Sequence, residues 1–390
     1  MGAPTTSDLA PASSTETPAA IVPVQTRSER FASGDPADFA AVTGREPEWK
    51  LSPVEALRPL IDGPLDGGAY PIEQADGVTA RFVPAAEVTR GVAGLAEDKA
   101  AANAWASTSK ILLVEICEDT QAPITLTRGE LGPTPRAAHT VIRVKPNVHA
   151  TLIHISRGPA LLAENVEFDL QPGSSLTAVF VAEWQAGAVQ YANHFASLAK
   201  DAQLTHIAVS LGGSVITLNP SIQLVGVGSR ADVLGAYFAD KTQHIEHRVY
   251  VHHQGPKTTS RVTYKGALHG RGARTVWIGD VLIGADAVGT DSYEQNRNLV
   301  LSEGTRADSI PNLEIKTGDI EGAGHASATG RFDDEQLFYL QSRGIAEVDA
   351  RRLVVMGFLG DVVGKIPEPT LVERLTSAIQ NKLDHTEDPA

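Results

Sequence analysis

Between about residue 110 and residue 320 the chain repeats one pattern: a short apolar or β-branched run, a small polar turn, then another run. The runs are Ile111–Ile116, Ala138–Val144, Ala150–Ile155, Val166–Leu170, Leu176–Ala182, Leu204–Val209, Val215–Leu218, Ile222–Val225, Val249–His252, Arg261–Tyr264, Thr275–Ile278 and Val281–Ile283. Each reads as a strand. No long helical periodicity separates them, which argues against a doubly wound α/β sheet. Turns such as Pro146-Asn147, Pro172-Gly173, Lys200-Asp201 and Gly228-Ser229 open new strands, and Asn147, Gly173, Asp201 and Gly228 follow one another at 26 to 28 residues. That period belongs to solenoids, in which each coil buries its inward side chains on the coils above and below. A β-sandwich is the competing arrangement for short strands of this kind.

The flanks differ from this middle. Residues 1–27 are rich in Ala, Pro, Ser and Thr and read as a disordered tail. Residues 28–110 are mixed and helical: Phe31, Phe39, Trp49 and Leu51 sit between turn residues, a short helix spans Pro53–Ile61 after Ser52, and Thr89–Ala106 is Ala-rich and helical in character. The β region occupies residues 111–330, and residues 331–385 are helical. There Asp333 and Gln336 form a capping-box-like pair, Leu337 and Leu340 share a face, and Gly344 supplies a stop. A second helix covers Glu347–Leu359. A third opens on Thr370-x-x-Glu373 and aligns Val372, Leu375, Ile379 and Leu383. This tail is too short for a large core of its own, so it must dock on the β region or on a partner.

Composition narrows the function. A net charge of −14 without a Lys/Arg run argues against a nucleic-acid footprint. No apolar run approaches the roughly 20 residues of a membrane span. Met1–Pro23 lacks the basic and apolar regions of a secretory signal, so a cytoplasmic setting is expected. The single cysteine, Cys117, follows an apolar run and is expected to be a buried structural thiol. No phosphate-binding loop is present: Gly226-Val227-Gly228-Ser229-Arg230-Ala231 fits G-x-G-x-x-G/A, but a strand-like segment follows it where a dinucleotide site needs a helix.

Candidate chemistry is sparse. His244, His247, His252, His253 and His269 fall close together, yet His252 and His253 would point to opposite faces of a strand. Asp232, Asp240, Asp280, Asp286 and Asp291 could serve a β-helical carbohydrate-active enzyme using paired aspartates. The missing export signal and the scarcity of aromatic residues speak against it. His325 is set among Gly322, Ala323, Gly324, Ala326, Ser327 and Ala328, small neighbours that leave an imidazole open to another surface.

Four segments carry a resemblance: Ser292-Tyr293-Glu294-Gln295-Asn296-Arg297-Asn298-Leu299-Val300-Leu301-Ser302, Pro311-Asn312-Leu313-Glu314-Ile315, Gly324-His325-Ala326-Ser327-Ala328-Thr329-Gly330 and Leu337-Phe338-Tyr339-Leu340-Gln341-Ser342-Arg343-Gly344-Ile345. With Arg30-Phe31, Asp38-Phe39, Gly44-Arg45-Glu46 and Trp49-Lys50 they make the chain, over about Arg27 to Leu375, resemble the SufB/SufD family of iron–sulfur cluster assembly scaffolds, on its SufD side. The resemblance implies a mainly β protein, a right-handed parallel β-helix flanked by N-terminal mixed and C-terminal helical regions. It implies a non-catalytic subunit that pairs with SufB and binds SufC, an ABC-type ATPase, with sulfide coming from a cysteine desulfurase. It leaves room for a homodimer of the isolated chain. By resemblance, His325 lies at the SufB interface, where iron or a nascent Fe–S cluster is held transiently. Leu337, Phe338, Tyr339, Arg343, Val372, Leu375 and Ile379 belong to the SufC-facing region. Many relatives carry Cys-Ser-His where this chain has Ala323-Gly324-His325, so a nearby thiolate is missing here. One cysteine cannot hold a cluster that needs several thiolates.

Overall fold

In a computed structural model describing residues 31–74, 80–331 and 334–384, the strands alternate between two nine-stranded sheets. The tail of residues 1–27 and the cap residue Asp333 lie outside the described residues. One sheet, called here the first, stacks Lys110–Ile116, Pro135–Val144, Leu161–Leu170, Val189–Leu198, Val215–Leu224, His244–His253, Arg274–Ile283 and Arg306–Ile315. The second stacks Ile124–Arg128, His149–Gly158, Ser175–Trp184, Gln203–Ser210, Arg230–Asp240, Thr259–His269, Asp291–Val300 and Gly322–Arg331. Within each stack neighbouring strands are parallel and in register, for example Gln203 beside Arg230 and Arg230 beside Thr259. This is a parallel β-solenoid of about eight coils. At its N-terminal end the short strands Ala80–Pro84 and Ile72–Gln74 add to the two sheets antiparallel.

The recurrent turns explain how the coils keep step. Asn147, Gly173, Asp201 and Gly228 all adopt left-handed backbone, at φ of 59°, 70°, 56° and 71°. Gly173 N–H donates to the Lys200 carbonyl at 2.9 Å, Asp201 N–H to Val227 at 2.9 Å and Gly228 N–H to Pro256 at 3.1 Å. The turns therefore form their own hydrogen-bonded column beside the sheets. A Cβ added at Gly173 would lie 2.4 Å from Asn147 Oδ1 in the coil below, so the column restricts side chains as well as dihedrals.

Several elements depart from the sequence pattern for identifiable reasons. Val215–Leu218 and Ile222–Val225 belong to one strand, Val215–Leu224, that runs through Asn219-Pro220. Pro220 has no N–H to donate, and the pairing with His244–His253 skips these two positions. Thr275–Ile278 and Val281–Ile283 likewise form one strand, Arg274–Ile283. The helix expected over Thr89–Ala106 is confined to Lys99–Ser107: Gly91 and Gly94 take φ of 80° and 144°, and Asp98 caps the helix by accepting from Ala101 N–H. Cys117 is exposed rather than buried, because the strand ends at Ile116 and the chain leaves the core there. The cap expected at Thr370 falls on Glu368, whose carboxylate accepts from Leu371 N–H, with Pro369 opening the helix. The short helix after Ser52 and the stop at Gly344, with φ 83°, are found as expected.

Both outer sheet faces are covered, as a parallel sheet requires. Helices α1 (Val54–Ile61) and α2 (Lys99–Ser107) place Leu57, Leu60, Ile61, Ala100 and Ala104 against Ala137, Ala163 and Tyr191 of the first sheet. After α3 (Asp334–Ser342), helices α4 (Glu347–Val363) and α5 (Pro369–Asp384) cover the second sheet. Val355, Leu359, Val362, Leu371, Leu375, Ile379 and Leu383 pack there on Val179, Val181, Ile207, Val209 and Phe238.

A buried polar set fixes the N-terminal region to the first sheet. Ser52 Oγ donates to Glu246 Oε1 at 3.1 Å and accepts from Arg248 Nη2 at 2.8 Å, while Arg248 Nε and His244 Nε2 also meet Glu246. Burial by itself would raise the Glu246 carboxyl, but Arg248 and His244 outweigh it and hold the group at about 2. Its stabilising contribution is present above about pH 4.5 and is lost as pH falls toward the folded value. Glu246→Gln leaves Arg248 buried without its counter-charge, so urea unfolding at pH 7 should show a loss of about 3–5 kcal/mol. That loss should shrink as the pH approaches 2.

Candidate functional site

Strand Gly322–Arg331 is the last of the second sheet. Its neighbour Asp291–Val300 sets His325 directly beside Glu294, and the row continues through Val262 to Val233. Val233 and Val262 belong to the interior core, and Ala323 packs against the same core. The row containing His325 is therefore the inward-facing row of the solenoid. Among the described residues no further coil covers it, and the His325 side chain is 43% exposed. An interior position has become a surface position.

Glu294, one coil down, is fully buried. Neither of its oxygens makes a hydrogen bond of ordinary geometry. Its nearest opposite-charge candidate is His325, with Nδ1 3.8 Å from Oε1. Glu294 occupies space that only a glycine at 279 leaves free: a Cβ there would lie 2.4 Å from Oε2. Burial, reinforced by the charge of Asp280, pushes the carboxyl up to about 8 against a small opposing effect of the Asn312 backbone. Asp280 itself accepts from Asn312 Nδ2 at 2.7 Å.

The Asn296 and Asn298 side chains of the same row are hydrogen-bonded. Tyr237 O–H donates to Asn298 Oδ1 at 2.7 Å, and Asn296 Nδ2 donates to Tyr237 Oη at 2.9 Å. Asn298 Nδ2 and Ser309 Oγ both donate to Asn296 Oδ1, at 2.7 and 2.8 Å. This network holds the row Glu294, Asn296, Asn298 rigid beneath the last strand. These polar inward positions also explain why Asp291–Val300 shows no apolar run in the sequence.

The other predicted residues are placed as follows. Phe338 and Tyr339 stand 71% and 57% exposed on α3, and the Arg343 guanidinium lies 5.1 Å from the Tyr339 ring centre. Leu337 is buried and Val372 half-buried. Leu375 and Ile379 are buried against the second sheet, so the exposed part of the expected partner-facing set is Phe338, Tyr339 and Arg343. The five clustered histidines do not converge. His247 meets Ser210, His253 meets Thr258 and Ser260, His244 meets Glu246, His252 meets Gln254, and His269 faces Asp240. Among the described residues no three His, Cys, Asp or Glu side chains converge as a metal site. The aspartates are dispersed too: Asp232 pairs with Arg230, Asp291 with Arg261, and Asp286 is exposed in a turn. Gly226–Ala231 is a solenoid turn leading into strand Arg230–Asp240.

The profile of the SUF system FeS cluster assembly SufBD core domain matches residues 127–358. The chain belongs to the SufBD family. It is 44% identical over 375 residues to an iron–sulfur cluster assembly SufBD family protein of Mycobacterium tuberculosis, covering 93% of this chain and 94% of that one. A SufBD family protein of Mycobacterium leprae is 44% identical over 369 residues, covering 92% and 94%. The iron–sulfur cluster assembly protein SufD of Escherichia coli is 30% identical over 195 residues, covering 49% of this chain and 46% of that protein. The SufBD core match takes in the open end with His325 and Glu294 and continues through α3 into α4.

Sequence reasoning gave Glu294 no role, and it passed over the buried His154, His194 and His206. The signal available for Glu294 is its place in the alternation Ser292, Glu294, Asn296, Asn298, but which face of that strand is interior is a tertiary fact. A carboxyl raised from its unfolded value to about 8 makes folding proton-binding in between. The Glu294 contribution to stability should therefore fall as pH rises from about 4.5 to 8. Glu294→Gln should abolish that decline, leaving the variant more stable than the wild type by a few kcal/mol at pH 9 (~1.4 kcal/mol per pKa unit as the upper scale) and equal to it near pH 4. Thermal unfolding across that range checks the sign.

Proposed function

We propose that this SufBD family chain is a non-catalytic, SufD-type scaffold subunit that pairs with a SufB-type partner and binds a SufC-type ATPase through its helical tail. Iron, or a nascent cluster, is the substrate handled where the open end of the solenoid meets the partner. The observation that carries this reading is His325: an interior-row imidazole left half-exposed on the last coil. The single cysteine supports the shared nature of the site. Cys117 follows the first solenoid strand of its sheet while His325 lies on the last strand of the other, so a cluster held at His325 must take its thiolates from another chain. In this reading residues 28–110 brace one face of the rod, residues 111–330 form it, and residues 331–385 carry the ATPase contact.

Leu375 and Ile379 belong to the docking of the tail on its own sheet. The surface offered to the ATPase is then Phe338 and Tyr339 on α3 with Arg343 in the turn that follows it. Exposed aromatic and Arg side chains of this kind dominate binding energy at interfaces.

Co-expression with SufB- and SufC-type proteins should yield a ternary complex, and a chain that purifies alone under those conditions overturns the assignment. In that complex Phe338→Ala with Tyr339→Ala should reduce ATPase capture by about tenfold or more, with the melting temperature unchanged. His325→Ala should leave folding and complex formation intact while lowering iron loading. Unchanged loading, measured by metal analysis of the anaerobically purified complex, would reduce His325 to a structural residue.

A further inference from the structure

The row Ser292, Glu294, Asn296, Asn298 projects into the solenoid just beneath its open end. Three of its members are satisfied inside the fold: Ser292 Oγ meets Ser260 Oγ at 2.8 Å, and Asn296 and Asn298 share the Tyr237 network. Glu294 alone has two buried oxygens without a hydrogen bond of ordinary geometry, the Asn312 backbone giving only a weak contact. A buried carboxyl without partners is costly, and nothing in the packing requires a carboxyl there. What lies above it is His325, the half-exposed imidazole with small neighbours on both sides. The 3.8 Å between Nδ1 and Oε1 exceeds a hydrogen bond. It suits two donors of one transition-metal ion, each about 2.1 Å from the metal and therefore about 3–4 Å from one another. Imidazole nitrogen with carboxylate oxygen is a donor set that iron accepts.

We propose that Glu294 is this chain's second donor to the ion handled at His325, so that the open end presents a two-residue nitrogen–oxygen half-site for Fe(II). The imidazole is the accessible donor and the carboxylate the buried one. The remaining positions go to water or to the partner. A two-donor half-site releases its ion readily, as a subunit that hands iron on requires. This inference rests on the reading that His325 handles iron.

The test is anaerobic titration of the purified full chain with Fe(II), and with Co(II) as a spectroscopic stand-in, for wild type, Glu294→Gln, His325→Ala and the double variant. Each single variant should weaken binding by about tenfold or more, and the double variant should bind no worse than the weaker single. Glu294→Gln should also remove the Co(II) ligand-field bands while its melting temperature is equal to or above that of the wild type. Wild-type affinity in Glu294→Gln overturns the proposal, whether or not His325→Ala loses binding. So does additive loss in the double variant, which would mean two separate sites. The two readings fail separately. A chain that joins the complex yet loads iron equally well as Glu294→Gln overturns the half-site alone. A chain whose Fe(II) affinity depends on both residues but which joins no partner overturns the scaffold assignment alone.

Discussion

Coil-on-coil stacking is the constraint from which the rest of this structure follows. In a parallel solenoid every strand satisfies its backbone, and every inward side chain its surface, on the coil above and the coil below. The two end coils lack one neighbour. Here the N-terminal end is closed by the antiparallel strands Ala80–Pro84 and Ile72–Gln74. At the C-terminal end the row of Gly322–Arg331 opens outward, and residues that would be core one coil earlier become available for chemistry. His325 is accessible for this reason, and Glu294 is buried for the same one.

The outer faces pose the opposite problem, since both sheets are apolar there and must be covered. Helices α1 and α2 do so on one side, and α4 and α5 on the other. The tail is also tied by charge. Arg374 meets Glu183, Lys265 meets Asp361, and Lys382 Nζ donates to the Leu211 carbonyl at 2.7 Å. Burial pushes the Lys382 ammonium down to about 8, with Asp240 opposing. With α4 and α5 docked, the most exposed large apolar side chain of the tail is Phe338 on α3, beside Tyr339, and α4 adds the exposed Val348 and Leu353. Any force applied at α3 reaches the solenoid through elements that are already packed on it.

Much of this was legible from the chain. Turn spacing revealed the coils because left-handed positions recur once per coil and suit Asn, Asp and Gly. Apolar runs revealed most strands, and caps and breakers located the short N-terminal helix and the stop at Gly344. Strands were obscured at Asp291–Val300, where the buried inward row is polar, and at Gly322–Arg331, where the last strand is small-residue and mostly exposed, because neither carries the apolar signal on which strand reading relies. The helix expected over Thr89–Ala106 was overextended for a similar reason: Ala content favours a helix, but Gly91 and Gly94 adopt backbone that a helix cannot contain.

The sequence by itself determined the repeating coils, the family and the singular character of His325 among small residues, since these depend on local propensity and on motifs contiguous in the chain. Only the tertiary structure decided that the Leu375/Ile379 stripe is spent on the protein's own sheet, that Cys117 is exposed, and that Glu294 lies beneath His325. Those facts depend on which residues 31 positions apart become neighbours, as Glu294 and His325 do. That register is set by turn length and stacking across coils, and no local pattern in the chain encodes it.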